Sequence, residues 1–333
     1  MQITFLIILA ILGAVFGSFA SVLIHRFYNK EGGIMTGRSH CTNCNHILGA
    51  LDLFPIFSYI FLGGKCRYCK SSVSILYPIL EIVMGIVFFL IGLNLVDYQL
   101  IIGGNIQELI RLTFFLYIGF VVVVFSFYDI LYQLIPTEIL GPAILILLTI
   151  LLSSIFSINS EYFFSYFKSF ENSFYSKPII NSLLGATFIY SFFYIQIFFP
   201  GMYYAIKKKK YNIILVQAIE YFTLPFYMIF SVFFNSDKES ELEETNEEEF
   251  IYTGMGHGDL WIAVFMGFVG GFKLAVLGLA IGYLIGAIVG IYILAVKKQR
   301  NAYIAFGPFL GVGLLLSLMY YDKIINLIFM YYV

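Results

Sequence analysis

Four cysteines and a few acids, set among long apolar runs, are the side chains in this chain suited to metal binding or proton transfer. The cysteines fall in one stretch, as Cys41-x-x-Cys44 and Cys66-x-x-Cys69, with 21 residues between the pairs. Two matched C-x-x-C knuckles supply four thiolates that can surround one tetrahedral Zn²⁺ or another tetrahedral metal. Two disulfides and four idle thiols are the competing readings, and a cytoplasmic loop would disfavour the disulfides. Four thiolates close the coordination sphere and leave no place for a reactive water, so the metal is expected to be structural. Lys65, Arg67 and Lys70 flank the second knuckle and would offset its charge.

Acids at membrane depth are costly, so each is a candidate for function or for structural pairing. They are Glu81, Asp129, Glu138, Glu220 and Asp259. Asp129 ends an apolar run in Tyr128-Asp129-Ile-Leu-Tyr-Gln-Leu-Ile135-Pro136, and Asp259 opens another directly after Gly254-Met-Gly256-His257-Gly258. Two facing carboxylates cannot both ionise cheaply. One then keeps its proton as an acid while the other deprotonates a water for attack on a peptide carbonyl. Gly254, Gly256 and Gly258 remove side chains that would block an extended substrate backbone. A lone aspartate would more simply cap a helix or pair with a base; the pair with its glycines points to aspartyl-protease chemistry. Glu81, in Tyr77-Pro78-Ile-Leu-Glu81, reads as a supporting hydrogen-bonding group, and Gly13, Gly17 and Ser18 as marks of close helix packing.

The elements that must position these groups are transmembrane helices. Sixty per cent of the residues are apolar and 12% charged, with a mean hydropathy of +0.90, which excludes a freely soluble globular fold. No basic patch points to nucleic acid. Eight spans are expected, at about 3–24, 75–95, 110–128, 137–157, 181–203, 259–271, 274–296 and 304–321. The first, which begins at Met1 without a basic flank or cleavage site, reads as a retained anchor. With the N-terminus outside, 14 of the 19 basic residues lie on inner loops, so both knuckles and both aspartates face the cytoplasm. The fold class is therefore an all-α polytopic helix bundle in the lipid bilayer. It divides into a first helix (1–24), a cytoplasmic four-cysteine loop (25–74) and a membrane core (75–333) with an insertion at about 204–250. Residues 211–234 are expected to be interfacial or re-entrant, and the acidic run at 237–249 to be solvated.

With both constellations placed, the chain resembles the bacterial prepilin peptidases, the type IV leader peptidases of pilus, type II secretion and competence systems. The resemblance rests on 16–26 (FGSFASVLIHR), on 38–47 and 55–86 around the cysteines and the Tyr-Pro-x-x-Glu helix, and on Phe306-Gly307-Pro308-Phe309. The family's catalytic aspartates fall on Asp129, followed by Ile135-Pro136, and on Asp259, preceded by Gly-x-Gly-x-Gly. The resemblance implies cleavage of prepilin or pseudopilin leaders after a glycine at the cytoplasmic face of the inner membrane. It also implies N-methylation of the new N-terminus from S-adenosylmethionine, in a region for which no cofactor residues are assigned. Thr137 and Trp261 stand where the family often has Asp and Lys, and the aromatic residue usual near Ala50-Leu51-Asp52 is absent. The alternatives are a peptidase without methyltransferase activity, a proton-coupled transporter using the membrane carboxylates, and a non-catalytic scaffold built on the cysteine loop.

Overall fold

The computed structural model describes residues 1–29, 37–153, 177–208, 217, 219, 221–225, 256, 258–297 and 304–330. Among them, every regular element longer than an isolated bridge is helical. In chain order these are α1 (Gln2–Tyr28), α2 (Phe57–Phe61), α3 (Leu76–Asn94), α4 (Tyr98–Ile102), α5 (Ile106–Tyr132), α6 (Thr137–Ser153), α7 (Pro178–Lys208), α8 (Gly258–Tyr292) and α9 (Gly307–Met330), with a π-helical turn at Ile293–Lys297. Six of them, α1, α3, α5, α7, α8 and α9, are long and apolar enough to cross a bilayer; α6 is a 17-residue apolar helix. Local chemistry sets several of their starts. The Asp97 carboxylate accepts the Gln99 N–H at 2.8 Å to open α4, and the Asn105 side chain accepts those of Gln107 and Glu108 to open α5. Pro178 occupies the first position of α7, where its missing N–H costs nothing.

The chain packs as two compact units, Met1–Tyr132 and Gln133–Val333. In the first, α1 and α3 run antiparallel along a seam of small residues. A Cβ at Gly13 would stand 2.6 Å from the Met84 carbonyl oxygen, and one at Gly17 would stand 2.6 Å from the Glu81 Cα. Gly85 is equally tight against the Ala10 carbonyl, at 2.9 Å. Helices in lipid gain little from hiding apolar surface, so close backbone approach across glycine supplies the contact. The packing expected of Gly13 and Gly17 is therefore present. Phe16 then meets Phe88 and Phe120, with ring centroids 5.8 and 5.9 Å apart, joining α5 to the pair. Ile3, Ile7, Ile8 and Ile11 cover the outward face of α1. A helix apolar on its exposed face belongs in a bilayer.

One buried acid lies outside the span expected at 110–128. The helix begins four residues earlier, and Glu108 lies inside it, 1% exposed. Its carboxylate accepts the Asp97 N–H at 2.6 Å and faces the Arg111 guanidinium at 3.8 Å.

In the second unit, α8 is a hairpin. Gly271 breaks it with φ 62° and ψ −170°, a conformation open essentially only to glycine. Helix α7 caps the break: the Asn181 side-chain oxygen accepts the Phe272 N–H at 2.9 Å, and the Ser182 hydroxyl donates to the Phe268 carbonyl at 3.2 Å. From there both arms return along α7. The first passes Gly185 and Ala186 at Gly267; the second passes Phe188 at Phe272 and Gln196 at Tyr283. Asp259 and Tyr283 are each twelve residues from Gly271, about 18 Å along their arms, and they interact electrostatically at the far end. The turn anticipated near Gly270 and Gly271 is thus real, and splitting α8 there turns the six long helices plus α6 into the eight segments read from the sequence. The second arm closes on α9 through Gly278, which faces Gly313, and Gly282, which faces Phe309 and Leu310.

Most of 204–258, including Glu220, Gly254, His257 and the acidic run, falls outside the described residues. Of the expected interfacial segment, the Gln217 carbonyl takes a hydrogen bond from the Tyr194 hydroxyl, and the Tyr221 carbonyl takes one from Tyr190 at 3.1 Å.

Candidate metal and active sites

The two cysteine knuckles are copies of one turn. In the first, the Cys41 N–H donates to His46 O at 2.9 Å and the Asn45 N–H to Cys41 O at 2.8 Å; in the second, Cys66 donates to Ser71 at 2.8 Å and Lys70 to Cys66 at 3.0 Å. Asn45 and Lys70 take the same left-handed conformation, φ 54° and 59°, and single bridges His40–Ile47 and Lys65–Ser72 close each turn. Every landmark recurs 25 residues on, a repeat the sequence carries openly.

Folding the copies together brings all four sulfurs within 4.8 Å of one another, with Cys41 and Cys69 Sγ 3.8 Å apart. A tetrahedral Zn²⁺ with Zn–S bonds of about 2.3 Å requires sulfurs about 3.8 Å apart. The thiols differ in acidity. N–H groups of Cys44 and Asn43 lower Cys41, and the Ser71 hydroxyl and N–H hold Cys69 at about 6. Cys44 receives the His46 N–H, yet burial and the neighbouring Cys69 and Cys41 sulfurs push it up to about 11. Sulfurs crowded this closely hinder one another's ionisation, and a cation at their centre would relieve that. The four cysteines therefore suit one tetrahedral metal.

The knuckles are tied down by a residue that the loop motif contains but to which no role attaches from sequence. The Asp52 carboxylate accepts Arg67 Nε at 2.6 Å, the Gly49 N–H at 3.0 Å and the Tyr68 hydroxyl at 3.2 Å. Burial opposes ionisation of Asp52, but these three donors outweigh it and hold its carboxyl below the usual value. Arg26, 6% exposed, reaches from α1 to the carbonyls of Gly37 at 2.8 Å and Arg38 at 3.2 Å, anchoring the segment that leads into the first knuckle.

Between the knuckles and the ends of α1 and α3 lies a cleft of about 410 Å³. Its walls include Ser18, His25 and Arg26 from α1, Cys41, Asp52 and Lys65 from the loop, Tyr59 from α2, and Tyr77 and Glu81 from α3. Glu81 is buried; it accepts the Ile56 N–H at 2.7 Å and a hydrogen bond from Ser18. The hydrogen-bonding role expected of Glu81 fits this placement.

Asp129 stands in the last turn of α5, 5% exposed, one turn before Tyr132, whose ring stacks on Tyr28 with centroids 3.6 Å apart. Asp259 stands in the first turn of α8, half-buried, its N–H donating to the Gly256 carbonyl at 3.2 Å. A Cβ on Gly258 would lie 2.7 Å from Ile135 Cγ1, so the Ile135-Pro136 and Gly-Asp motifs meet in the second unit. Tyr283, beside Asp259, donates to the Gln196 side chain at 2.9 Å, and Phe306 of the Phe-Gly-Pro-Phe segment packs on its ring at 4.9 Å. Tyr283 and Gln196 escaped the sequence reading; their one sequence signal is the equal spacing of Tyr283 and Asp259 about the Gly271 turn.

Residues 11–95 match the family model of the bacterial peptidase A24 N-terminal domain. Over 342 aligned positions the chain is 21% identical to a prepilin leader peptidase/N-methyltransferase of Pseudomonas putida, covering 96% of this chain and 92% of that protein. A protein of the same name from Stutzerimonas stutzeri is 22% identical over 97% of this chain and 93% of its own length. Another, from Myxococcus xanthus, is 35% identical over 85 residues, 26% of this chain and 25% of that protein. No solved structure matches the chain. The family model over 11–95 and the likeness to two prepilin leader peptidase/N-methyltransferases over nearly the whole chain bear out the resemblance of this chain to the prepilin peptidases.

Proposed function

We propose that the chain is an intramembrane aspartyl endopeptidase that removes the leader of prepilin or pseudopilin substrates after a glycine, at the cytoplasmic face of the bacterial inner membrane. The observation that carries the chemistry is the burial of Asp129 behind seventeen residues, 112–128, that hold no charge. An acid is kept in such surroundings for chemistry or pairing. Asp259, at the opening of the α8 hairpin, is its partner. In support, Ile135, six residues beyond Asp129 along the chain, packs on Gly258. The excess of basic residues on the loops assigned inside supports the cytoplasmic orientation.

In the working pair one carboxyl is ionised and the other protonated. The carboxylate takes a proton from water as the water oxygen bonds to the scissile carbonyl carbon, and the acid gives its proton to the carbonyl oxygen. Collapse of the tetrahedral intermediate returns that proton to its aspartate and breaks the C–N bond. The leaving nitrogen receives the proton first drawn from water. The glycines at 254 and 256 would spare a substrate backbone two side chains on its approach, while Ile135 takes the space beside Gly258. Asp129→Asn and Asp259→Asn, each incubated with prepilin, are expected to lose a factor of about 10²–10⁴ in turnover. Full cleavage by either variant would overturn the mechanism.

The second activity is methylation of the new N-terminus, with the donor held in the cleft of the first unit. Its 410 Å³ lies within the range of small-molecule sites, about 300–1,000 Å³. Glu81 and Asp52 offer anionic partners to the cationic centres of S-adenosylmethionine, Lys65 a partner to its carboxylate, and Tyr59 and Tyr77 flat surfaces for its base. When bound, that cofactor supplies an electrophilic methyl group. One Zn²⁺ on Cys41, Cys44, Cys66 and Cys69 would hold the cleft's loop wall in shape. Mass spectrometry of processed pilin tests this half: efficient cleavage with an unmethylated N-terminus would leave a peptidase alone.

A further inference from the structure

The four-cysteine loop carries an apolar surface that neither site uses. Residues 53–64, Leu-Phe-Pro-Ile-Phe-Ser-Tyr-Ile-Phe-Leu-Gly-Gly, contain no acidic or basic side chain, and they fold around α2. The inward face of that helix is Ser58, Tyr59 and Leu62, which line the cleft. The outward face is Phe57, Ile60 and Phe61, exposed by 54, 65 and 83%, and it continues onto Phe54 through a ladder of rings spaced 5.6 and 6.4 Å. For a loop in water this pattern is inside out.

Two observations say what covers it. First, the start of α2 is held at membrane level. Ile56 takes φ 64°, strained for a β-branched residue, with its N–H bonded to Glu81, five residues beyond the first residue of α3 and about 7 Å along that helix. Second, Ile75 just before α3 and Ile79, Ile82 and Ile86 within it are exposed from that same end, and Lys65, Arg67 and Lys70 stand exposed just after α2. An apolar face beside a lipid-facing stripe, followed at once by cations, has the make-up of an element lying at the boundary of acyl chains and anionic headgroups.

We propose that α2 with Phe54 is an interfacial anchor that seats the cysteine loop on the surface of the bilayer its neighbouring helices cross, pinned to that depth by Glu81. The lipid takes the place of a protein partner: Phe57, Ile60 and Phe61 enter the headgroup–acyl boundary, and the cleft opens on the opposite side of the helix.

The test uses the full chain carrying Trp261→Phe, so that one introduced tryptophan reports. Phe61→Trp and, independently, Phe57→Trp are reconstituted into phosphatidylcholine–phosphatidylglycerol vesicles with acyl chains brominated near the headgroup or near their middle. Tyr68→Trp, on the second knuckle, is the comparison. Emission from positions 61 and 57 is expected to fall at least twofold with shallow bromine, to fall less with deep bromine, and to resist aqueous iodide, while position 68 responds to iodide alone. Quenching of positions 61 and 57 by iodide and not bromine would place the face in water. Protection from both quenchers would mean a protein surface covers it. Either result overturns the proposal. Glu81→Leu, which removes the acceptor for Ile56, is expected to reduce the bromine effect at position 61, and Glu81→Gln to retain it. An unchanged effect in Glu81→Leu would overturn the pinning.

Discussion

Replacing Gly17 tests how the first unit holds both its helices and its cleft. An added Cβ would lie 2.6 Å from the Glu81 Cα and 3.1 Å from the Leu80 carbonyl oxygen, both backbone atoms that no rotamer change can move. Carbon pairs rest at about 3.5–4.0 Å, so α1 and α3 must separate by about 1 Å. Gly13, one turn away, is clamped as tightly against Met84 and Gly85, so the strain cannot be relieved by rocking. Overpacking of this kind costs about 1–3 kcal/mol, offset by about 1 kcal/mol of helix propensity gained over glycine. Gly17→Ala is thus expected to lose up to about 2 kcal/mol, and Gly17→Val, which forgoes most of the propensity gain, about 1–3 kcal/mol. The assay is reversible unfolding in mixed micelles, with Gly290→Ala as reference, where the nearest atom is Ile304 Cδ1 at an ordinary 3.8 Å. Ser18 follows Gly17, hydrogen-bonds Glu81 and shares the cleft wall with it, so a 1 Å shift should also depress the methyl transfer proposed for that cleft by up to about 10². Gly17→Val as stable as the parent, with methylation unchanged, would refute the close approach of the two helices.

Three further outcomes follow from named contacts. Cys66→Ser, at the most buried of the four cysteines, is expected to abolish binding of one metal ion per chain and to raise amide exchange across 37–74, leaving α1 and α3 protected; elemental analysis and hydrogen exchange report both. Asp52 has a lowered folded-state pKa, so its stabilisation is fully present above the unfolded value of about 3.9 and is lost as pH falls through the lower folded value. With Arg67 half in solvent the tie is worth no more than about 1 kcal/mol, and Asp52→Asn at neutral pH should give a similar loosening of the knuckles by exchange. Gly271→Ala forces a side chain into a glycine-only conformation and toward Asn181, and should destabilise the second unit by about 1–3 kcal/mol in the same micelle assay.

What the sequence determined by itself was everything set by local composition and short spacing. Lipid cannot satisfy a peptide group, so eight apolar runs had to become helices wherever their side chains ended up, and even the Gly270-Gly271 turn was legible because only glycine tolerates it. The four-cysteine cluster was legible for the same reason, since each C-x-x-C turn presents its own two sulfurs and only the meeting of the two copies is tertiary. What only the tertiary structure decided were pairings between distant residues that composition leaves free. Asp52 meets Arg67, Arg26 holds the segment at Gly37, Glu81 fixes Ile56, and Tyr283 comes within electrostatic reach of Asp259 because two equal arms fold back from one glycine. Glu108 shows the boundary between the two kinds of knowledge: its type was in plain view, but whether an acid at a helix start faces water or is buried against the Asp97 N–H depends on packing, which no local pattern encodes.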